Sequence, residues 1–255
     1  MPEPTNPPSG SVGPKTLWTY WDNPPGKRRP AYLDLCMGTI RKNLGDYELI
    51  LLDEKTVGDY IDVPAKVRNL KFIAHKADYY RFHLLYKFGG AWLDGDVIMF
   101  RDLTQAIDPH TEKFDYIGFG DKPGEPSIGF MAATPQSQLL ARHIEAMDRL
   151  LASQRSWFGR KLRLGWTDIG AHMLWKFSRD YPYFHHRMED FAPIGWEEWE
   201  RFFSREEDGS KILAANPFAI MLYNKNMGPA LANVSAEEVL KADNLLGALF
   251  RKALQ

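Results

Sequence analysis

The sequence predicts an α/β fold: one domain in which a mixed, mainly parallel sheet is flanked by helices. Three observations carry that expectation. Short apolar runs at residues 17–21 and 47–52 bracket a helical pattern over residues 33–43, the alternation that builds α/β sheets. A second helical pattern over residues 72–88 is stopped by Gly89 and Gly90, either of which can take the left-handed backbone that closes a helix cheaply, and Ala91-Trp92-Leu93 follows as an apolar strand. A chain of 255 residues, 44% of them hydrophobic, is long enough to bury one substantial core.

Before the first strand, residues 1–13 are rich in Pro, Gly, Ser and Thr and nearly without apolar side chains, so a disordered tail is expected there, with the folded domain over 14–255. A net charge of −1 supplies no global basic field, which argues against a nucleic-acid partner. Cys36 is the single cysteine, so no intramolecular disulfide can form. No charged-then-apolar leader or long apolar run is evident, and the expected location is cytoplasmic. There is no internal repeat.

In the second helix, Ala77, Tyr80, Leu84, Leu85 and Phe88 recur at three- and four-residue steps and share a face, with Asp78 and Arg81 three apart beside it. The strand after the glycines resumes in Val97-Ile98-Met99-Phe100, so Asp94-Gly95-Asp96 interrupts what would otherwise be continuous core. On a strand, Asp94 and Asp96 would project to one face about 6–7 Å apart. Two converging carboxylates suit a hard divalent cation, Mn2+ or Mg2+, that leaves positions open for phosphate oxygens; a nucleotide diphosphate is the natural guest. The ordinary fate of such a tripeptide is a surface turn, and it is the helix, glycine pair and apolar strand in front of it that favour a site. Ligands of such sheets bind beyond the carboxyl ends of strands, so Tyr20, Trp21, Asp53, Asp94 and Asp96 are expected to converge.

The strings Lys76-Ala77-Asp78-Tyr79-Tyr80-Arg81, Leu84-Leu85-Tyr86-Lys87 and Gly89-Gly90-Ala91-Trp92-Leu93-Asp94-Gly95-Asp96 resemble the sugar-binding region of DXD-type glycosyltransferases. The likeness is greatest to bacterial capsular polysaccharide synthesis transferases, with yeast Golgi mannosyltransferases and clostridial glucosylating toxins more distant. Pro14-Lys15-Thr16-Leu17-Trp18-Thr19-Tyr20-Trp21, Pro24-Pro25 and Tyr47-Glu48-Leu49-Ile50-Leu51-Leu52-Asp53 are similar to that family's first two strands. The resemblance runs from about residue 14 to 103 and thins beyond. It implies a GT-A-like, Rossmann-like fold with a nucleotide-sugar half over 14–103 and an acceptor half over 104–255. It implies a UDP-sugar donor, transfer with retention, and a carbohydrate or lipid-linked acceptor in capsular polysaccharide or lipopolysaccharide synthesis. It further implies that Trp18 and Tyr20 hold the base, against a plain core reading of both, and that Asp78 and Arg81 reach the donor sugar, against a reading as an exposed helical ion pair. Arg81 also suits a phosphate. His75 and Lys76 read as solvated residues at the helix start.

Beyond residue 103, a strand is expected at 114–120, a buried segment near the sugar pocket at 126–133, and a core helix at 137–151. Asp168 is expected to open an apolar helix as an N-cap or first-turn carboxylate; the resemblance implies a catalytic contact to sugar or acceptor, with His172 accompanying it. Tyr223-Asn224-Lys225-Asn226-Met227-Gly228 reads as a polar turn, where Lys225 can neutralise a departing diphosphate and Asn224 or Asn226 can complete a metal shell. Relatives place His or Glu there, so this chain departs from them. Residues 188–203, with Trp196, Trp199, Phe202 and Phe203, suit either an acceptor wall or packing. Residues 235–255 read as an amphipathic helix that either docks on the core or touches the inner membrane surface. Two rivals remain: a nucleotidyl- or phosphotransferase, disfavoured because no Gly-rich phosphate loop precedes Asp94, and a silent sugar-binding module, which would not need both carboxylates.

Overall fold

The computed structural model describes residues 12–23, 26, 28–153 and 164–255. Residues 1–11 of the expected tail, and Pro24-Pro25, lie outside the described residues. In chain order the first elements are β1 (Thr16–Tyr20), α1 (Ala31–Lys42), β2 (Glu48–Leu52), α2 (Ala65–Arg68), α3 (Ile73–Phe88), β3 (Gly90–Leu93) and β4 (Val97–Met99). There follow α4 (Leu103–Ile107), β5 (Tyr116–Gly120), β6 (Ser127–Ala133), α5 (Gln138–Ser153), α6 (Ala171–Ser178), β7 (Phe184–Arg187) and α7 (Met188–Phe191). The last are α8 (Ser210–Ala214), β8 (Ala219–Met221), α9 (Asn224–Leu231), α10 (Ala236–Lys241) and α11 (Leu245–Leu254), with a 3-10 stretch at Trp196–Phe203. The chain forms two compact units that interleave: unit 1 takes the chain up to Asp22, Glu48–Leu93 and Pro109–His186, and unit 2 takes Asn23–Tyr47, Asp94–Asp108 and Arg187–Gln255.

Unit 1 is built on a six-stranded sheet of order β2-β1-β3-β6-β5-β7. The mixed α/β sheet expected from the sequence is present. β2, β1 and β3 run parallel, with Trp18 opposite both Ile50 and Trp92, while β3–β6 and β6–β5 are antiparallel. β1 and β3 are buried along their whole lengths, which is why they read as unbroken apolar runs. α3 ends where predicted. The Gly89 amide donates to Leu85 O at 2.8 Å, and Gly89 and Gly90 both have positive φ, 71° and 86°. A Cβ on Gly90 would lie 2.2 Å from Thr16 O and one on Gly89 2.6 Å from Pro135 Cδ, so the pair also lets backbone approach where no side chain fits.

Unit 2 holds a two-stranded antiparallel sheet, β4 with β8. The continuous strand expected through Asp94-Gly95-Asp96 is therefore two strands in two different sheets, and the tripeptide is a bend between them. α1 is stitched to β4 by Thr39 Oγ1, which accepts from the Met99 amide at 3.0 Å, and by Asn43 Nδ2, which donates to Met99 O at 3.1 Å. The helix expected over 235–255 is broken into α10 and α11. Ser235 and Glu238 form the capping box at the start of α10, and Asn244 Oδ1 caps α11 through the Gly247 amide at 2.9 Å. Leu245, Leu246, Leu249, Phe250 and Ala253 of α11 are buried, and Lys42 Nζ donates to Ala253 O at 3.2 Å. Docking is the observed fate of that stripe; its apolar face is used in packing and is not open to a lipid surface.

Candidate active site

In unit 2 the Asp94–Asp96 bend leaves both carboxylates half-buried. Asp96 is held at both ends of the residue. Its carbonyl accepts from the Leu222 amide at 2.9 Å, extending the β4–β8 ladder by one rung, and its Oδ2 accepts from the Asn224 amide at 2.6 Å. Asn224 is the first residue of α9, so the carboxylate sits on that helix's N-terminus, where the exposed amides and the dipole favour an anion. The preceding Tyr223 supplies the sharp entry with a left-handed φ of 55°. The segment expected as a polar turn is thus the start of a helix. Asn226 lies within its first turn, and Lys225 is exposed.

Two residues of α1 complete this neighbourhood. The Tyr32 hydroxyl donates to Asn224 Oδ1 in a short hydrogen bond. Burial first, and then the negative charge of Asp96, push both the Tyr32 phenol and the Cys36 thiol upward, so each stays protonated. Among the described residues no cluster of three or more His, Cys, Asp or Glu side chains gathers around a metal position. The candidate donors, the Asp94 and Asp96 carboxylates and the Asn224 and Asn226 amides, are all oxygens, and of these the Asn224 backbone meets Asp96. Such a set fits Mg2+ or Mn2+, which take one or two carboxylates and fill the remaining positions with water and phosphate oxygens.

In unit 1, Asp78 and Arg81 form a buried ion pair, 3.4 Å apart, their side chains only 6% and 5% exposed. This rules out the alternative reading of the two as an exposed helical pair. Arg81 also donates to the carbonyls of Ala77 and Ile128 and stacks over the Trp92 ring at 4.7 Å. A Cβ on Gly170 would lie 2.7 Å from Asp78 Oδ2, so only glycine fits there without displacement. Nearby on β1 and α3, Glu54 accepts from the Tyr20 hydroxyl at 2.9 Å and the Tyr80 hydroxyl at 3.2 Å and pairs with Lys76 at 3.2 Å. Burial first and the Glu54 charge second push both phenols upward.

Other expected site residues lie elsewhere than the sequence suggested. Trp18 is wholly buried, edge-on to Tyr60 and tilted on Phe88, with its indole N–H donated to Gly89 O at 3.1 Å. It is a core residue with no ring face open to a base. Tyr20 is buried too, edge-on to Tyr80. Asp53 Oδ1 is engaged locally by the amides of Lys55 and Thr56, whose hydrogen bonds outweigh the upward pull of burial and lower its pKa. Asp168 does not open a helix: α6 begins at Ala171, and the exposed Asp168 carboxylate closes a turn by accepting from the Gly165 amide at 2.6 Å. His172 is exposed and bonded to Thr167 Oγ1 at 2.6 Å. His75 is buried, with Nε2 3.1 Å from Gly165 O, and is no solvated residue.

Tyr32, Cys36, Glu54 and Gly170 were not singled out by the sequence. Tyr32 lies 192 residues from Asn224, and Glu54 lies 34 from Tyr20 and 26 from Tyr80. No local spacing signals such meetings.

Residues 5–126, just under half of the chain, match a family model described as "Capsular polysaccharide synthesis protein". No curated protein matches the chain. Among solved structures it is similar to the apo form of the glycosyltransferase GlyE of Streptococcus pneumoniae TIGR4, with a TM-score of 0.52 and 13% identity over 95% of this chain and 61% of that one. A second GlyE structure gives 0.51 and 12% over the same shares. The galactosyltransferase LgtC, solved with donor and acceptor sugar analogues, gives 0.49 and 14% over 87% of this chain and 98% of that one. The GlyE likeness shows the fold: the chain has the GT-A-type α/β architecture of glycosyltransferases. It spans 61% of the length of the GlyE chain.

Proposed function

We propose that this chain is a metal-dependent glycosyltransferase that moves a hexose from a UDP-sugar, with retention, to a carbohydrate or lipid-linked glycan acceptor in bacterial surface polysaccharide synthesis. The observation that carries the reading is the Asp94-Gly95-Asp96 bend, with Asp96 anchored on the N-terminus of α9, in a chain of glycosyltransferase-like fold. The capsular-synthesis match over 5–126 and the GlyE fold support the same class.

In this reading Asp94 and Asp96 hold Mn2+ or Mg2+, with the Asn224 or Asn226 amide oxygen as a further donor. A divalent cation, when bound, stabilises the charge developing on the departing diphosphate. The Asn224 amide fixes the Asp96 carboxylate, and Tyr32 fixes the Asn224 side chain, so two shells of hydrogen bonds orient the ligands before substrate arrives. Lys225 balances the diphosphate. Asp78 and Arg81 contact the donor sugar, and Asp168 contacts sugar or acceptor.

The test is a calorimetric and thermal-shift titration of nucleotide sugars, with and without Mn2+, on the wild type, Asp94→Asn and Asp96→Asn. Metal-dependent stabilisation by one UDP-sugar, absent in both variants, is the expected result. Because Asp96 also caps α9, the Asp94 variant separates loss of the ligand from loss of the helix. Binding of no nucleotide sugar with any metal would overturn the reading.

A further inference from the structure

We propose that the face formed by the α2–α3 connection and the turn at residues 164–168 docks this chain on an anionic lipid surface. Five large apolar side chains stand exposed among the described residues, and three of them, Phe72 (42%), Ile73 (40%) and Trp166 (48%), belong to this one face. The fold assembles it from segments more than ninety residues apart: Phe72 and Trp166 meet edge to face at 5.9 Å, and His75 Nε2, 3.1 Å from Gly165 O, ties the turn to the start of α3. These aromatics are therefore held in place.

The chain leading into them is basic. From residue 63 to 77 the chain carries Lys66, Arg68, Lys71 and Lys76 and no carboxylate, although its overall net charge is −1. Lys76 is engaged by Glu54 and Lys66 Nζ donates to Leu151 O at 3.3 Å, while Arg68 and Lys71 are exposed, with Lys71 Nζ 5.2 Å from the centre of the Phe72 ring. Two exposed carboxylates border the face: Asp62, just before the acid-free stretch, and Asp168, bound to the Gly165 amide. Exposed Trp, Phe and Ile with Lys71 against the Phe72 ring and exposed Arg68 close by in sequence match a bilayer interface, where rings enter the headgroup boundary and lysines and arginines reach anionic phosphates. This surface also differs from α11, whose apolar stripe is buried. The face shares its turn with Asp168, which the transferase reading sets against sugar or acceptor, but lipid binding is measured without turnover and so fails or stands separately.

Co-sedimentation of the full chain with vesicles tests it. Vesicles of phosphatidylcholine mixed with phosphatidylglycerol should bind the protein, more weakly as salt rises, and vesicles of phosphatidylcholine alone should not. Arg68→Gln with Lys71→Gln should lower partitioning by about thirtyfold, from roughly one electrostatic increment per charge. Phe72→Ser with Trp166→Ser should lower it at least about tenfold, and Leu254→Ser should leave it unchanged. All these side chains are exposed, so thermal unfolding should stay near that of the wild type. Equal binding to both vesicle types, no binding to either, or variants that bind like the wild type would overturn the proposal. So would a Phe72→Ser/Trp166→Ser protein that binds vesicles normally but loses affinity for a soluble oligosaccharide, which would make the face a glycan wall.

Discussion

Asp78 in unit 1 and Asp96 in unit 2 are both carboxylates within a stretch of nineteen positions, yet the fold treats them differently. Asp78 is buried against a guanidinium one helical turn away, and Arg81 is itself locked by two carbonyls and the Trp92 face. Asp96 is half-buried on a bend, takes a backbone amide at a helix end, and has beside it a phenol and a thiol that burial first and its charge second keep protonated. A carboxylate buried against a guanidinium of its own helix is suited to holding a shape, whereas one seated half-buried on a bend at a helix N-terminus is suited to receiving a cation. That contrast is open to experiment at both ends.

The largest effect should come from breaking the buried pair. Arg81→Met leaves Asp78 without its cation in a dry site, and unfolding in urea should show a loss of about 3–5 kcal/mol; Asp78→Asn together with Arg81→Met should recover part of it. Substituting Asp96 should instead spare most of the stability and act on chemistry. We expect Asp96→Asn to lower transfer by about 10²–10³-fold in a steady-state assay with the donor found by titration, the scale of removing one electrostatic stabiliser. If Asp96→Asn unfolded the protein as severely as Arg81→Met, the two carboxylates would share a structural role and the contrast would fail.

Smaller effects sharpen it. Gly170→Ala would push a methyl to within 2.8 Å of Ile128 Cδ1 as well as onto Asp78, which should cost about 1–3 kcal/mol by denaturant melting. Unit 1 also carries a pH dependence. Burial pushes His143, stacked on Phe82, down to about 3, and burial lowers His83 against the pull of Asp148. The unfolded chain therefore binds more protons than the folded one below about pH 6.5, so stability should fall as pH drops toward 4, by up to about 1.4 kcal/mol per pH unit for His143. Melting temperatures from pH 7 to 4 should show this slope, and His143→Gln should flatten it. Smallest of all, Tyr32→Phe removes the hydroxyl that fixes Asn224; a loss of about 0.5–1.5 kcal/mol is expected, with a modest weakening of Mn2+ affinity by calorimetry.

Much of the chain was legible because its signals are local. The glycine stop after α3, the apolar β1 and β3, and the capping box at Ser235 all arise from neighbours in sequence, and all lie where the pattern put them. What misled was the assumption that an apolar run on both sides of Asp94-Gly95-Asp96 meant one strand. A bend between sheets produces the same string, because β3 and β4 are each buried by different partners. Trp18 shows a second limit: an aromatic at a strand end reads equally as a platform or as core, and only the Gly89 carbonyl and the Tyr60 and Phe88 rings decide for core. The Glu54 hub and the Tyr32–Asn224–Asp96 chain of hydrogen bonds join residues dozens to nearly two hundred positions apart. Such meetings are properties of topology and leave no periodic trace.

The glycine pair after α3 has a meaning for how this chain tolerates change. At Gly90 the obstruction is the backbone carbonyl of Thr16, which cannot swing aside as a flexible side chain would, and at Gly89 it is a proline ring and its nitrogen. Any mutational scan should therefore find two adjacent intolerant positions whose intolerance owes nothing to a ligand. The offset between the Asp78–Arg81 turn of α3 and the strand that follows is set by missing atoms, and in that sense the most constrained letters near the candidate site are the ones with no side chain at all.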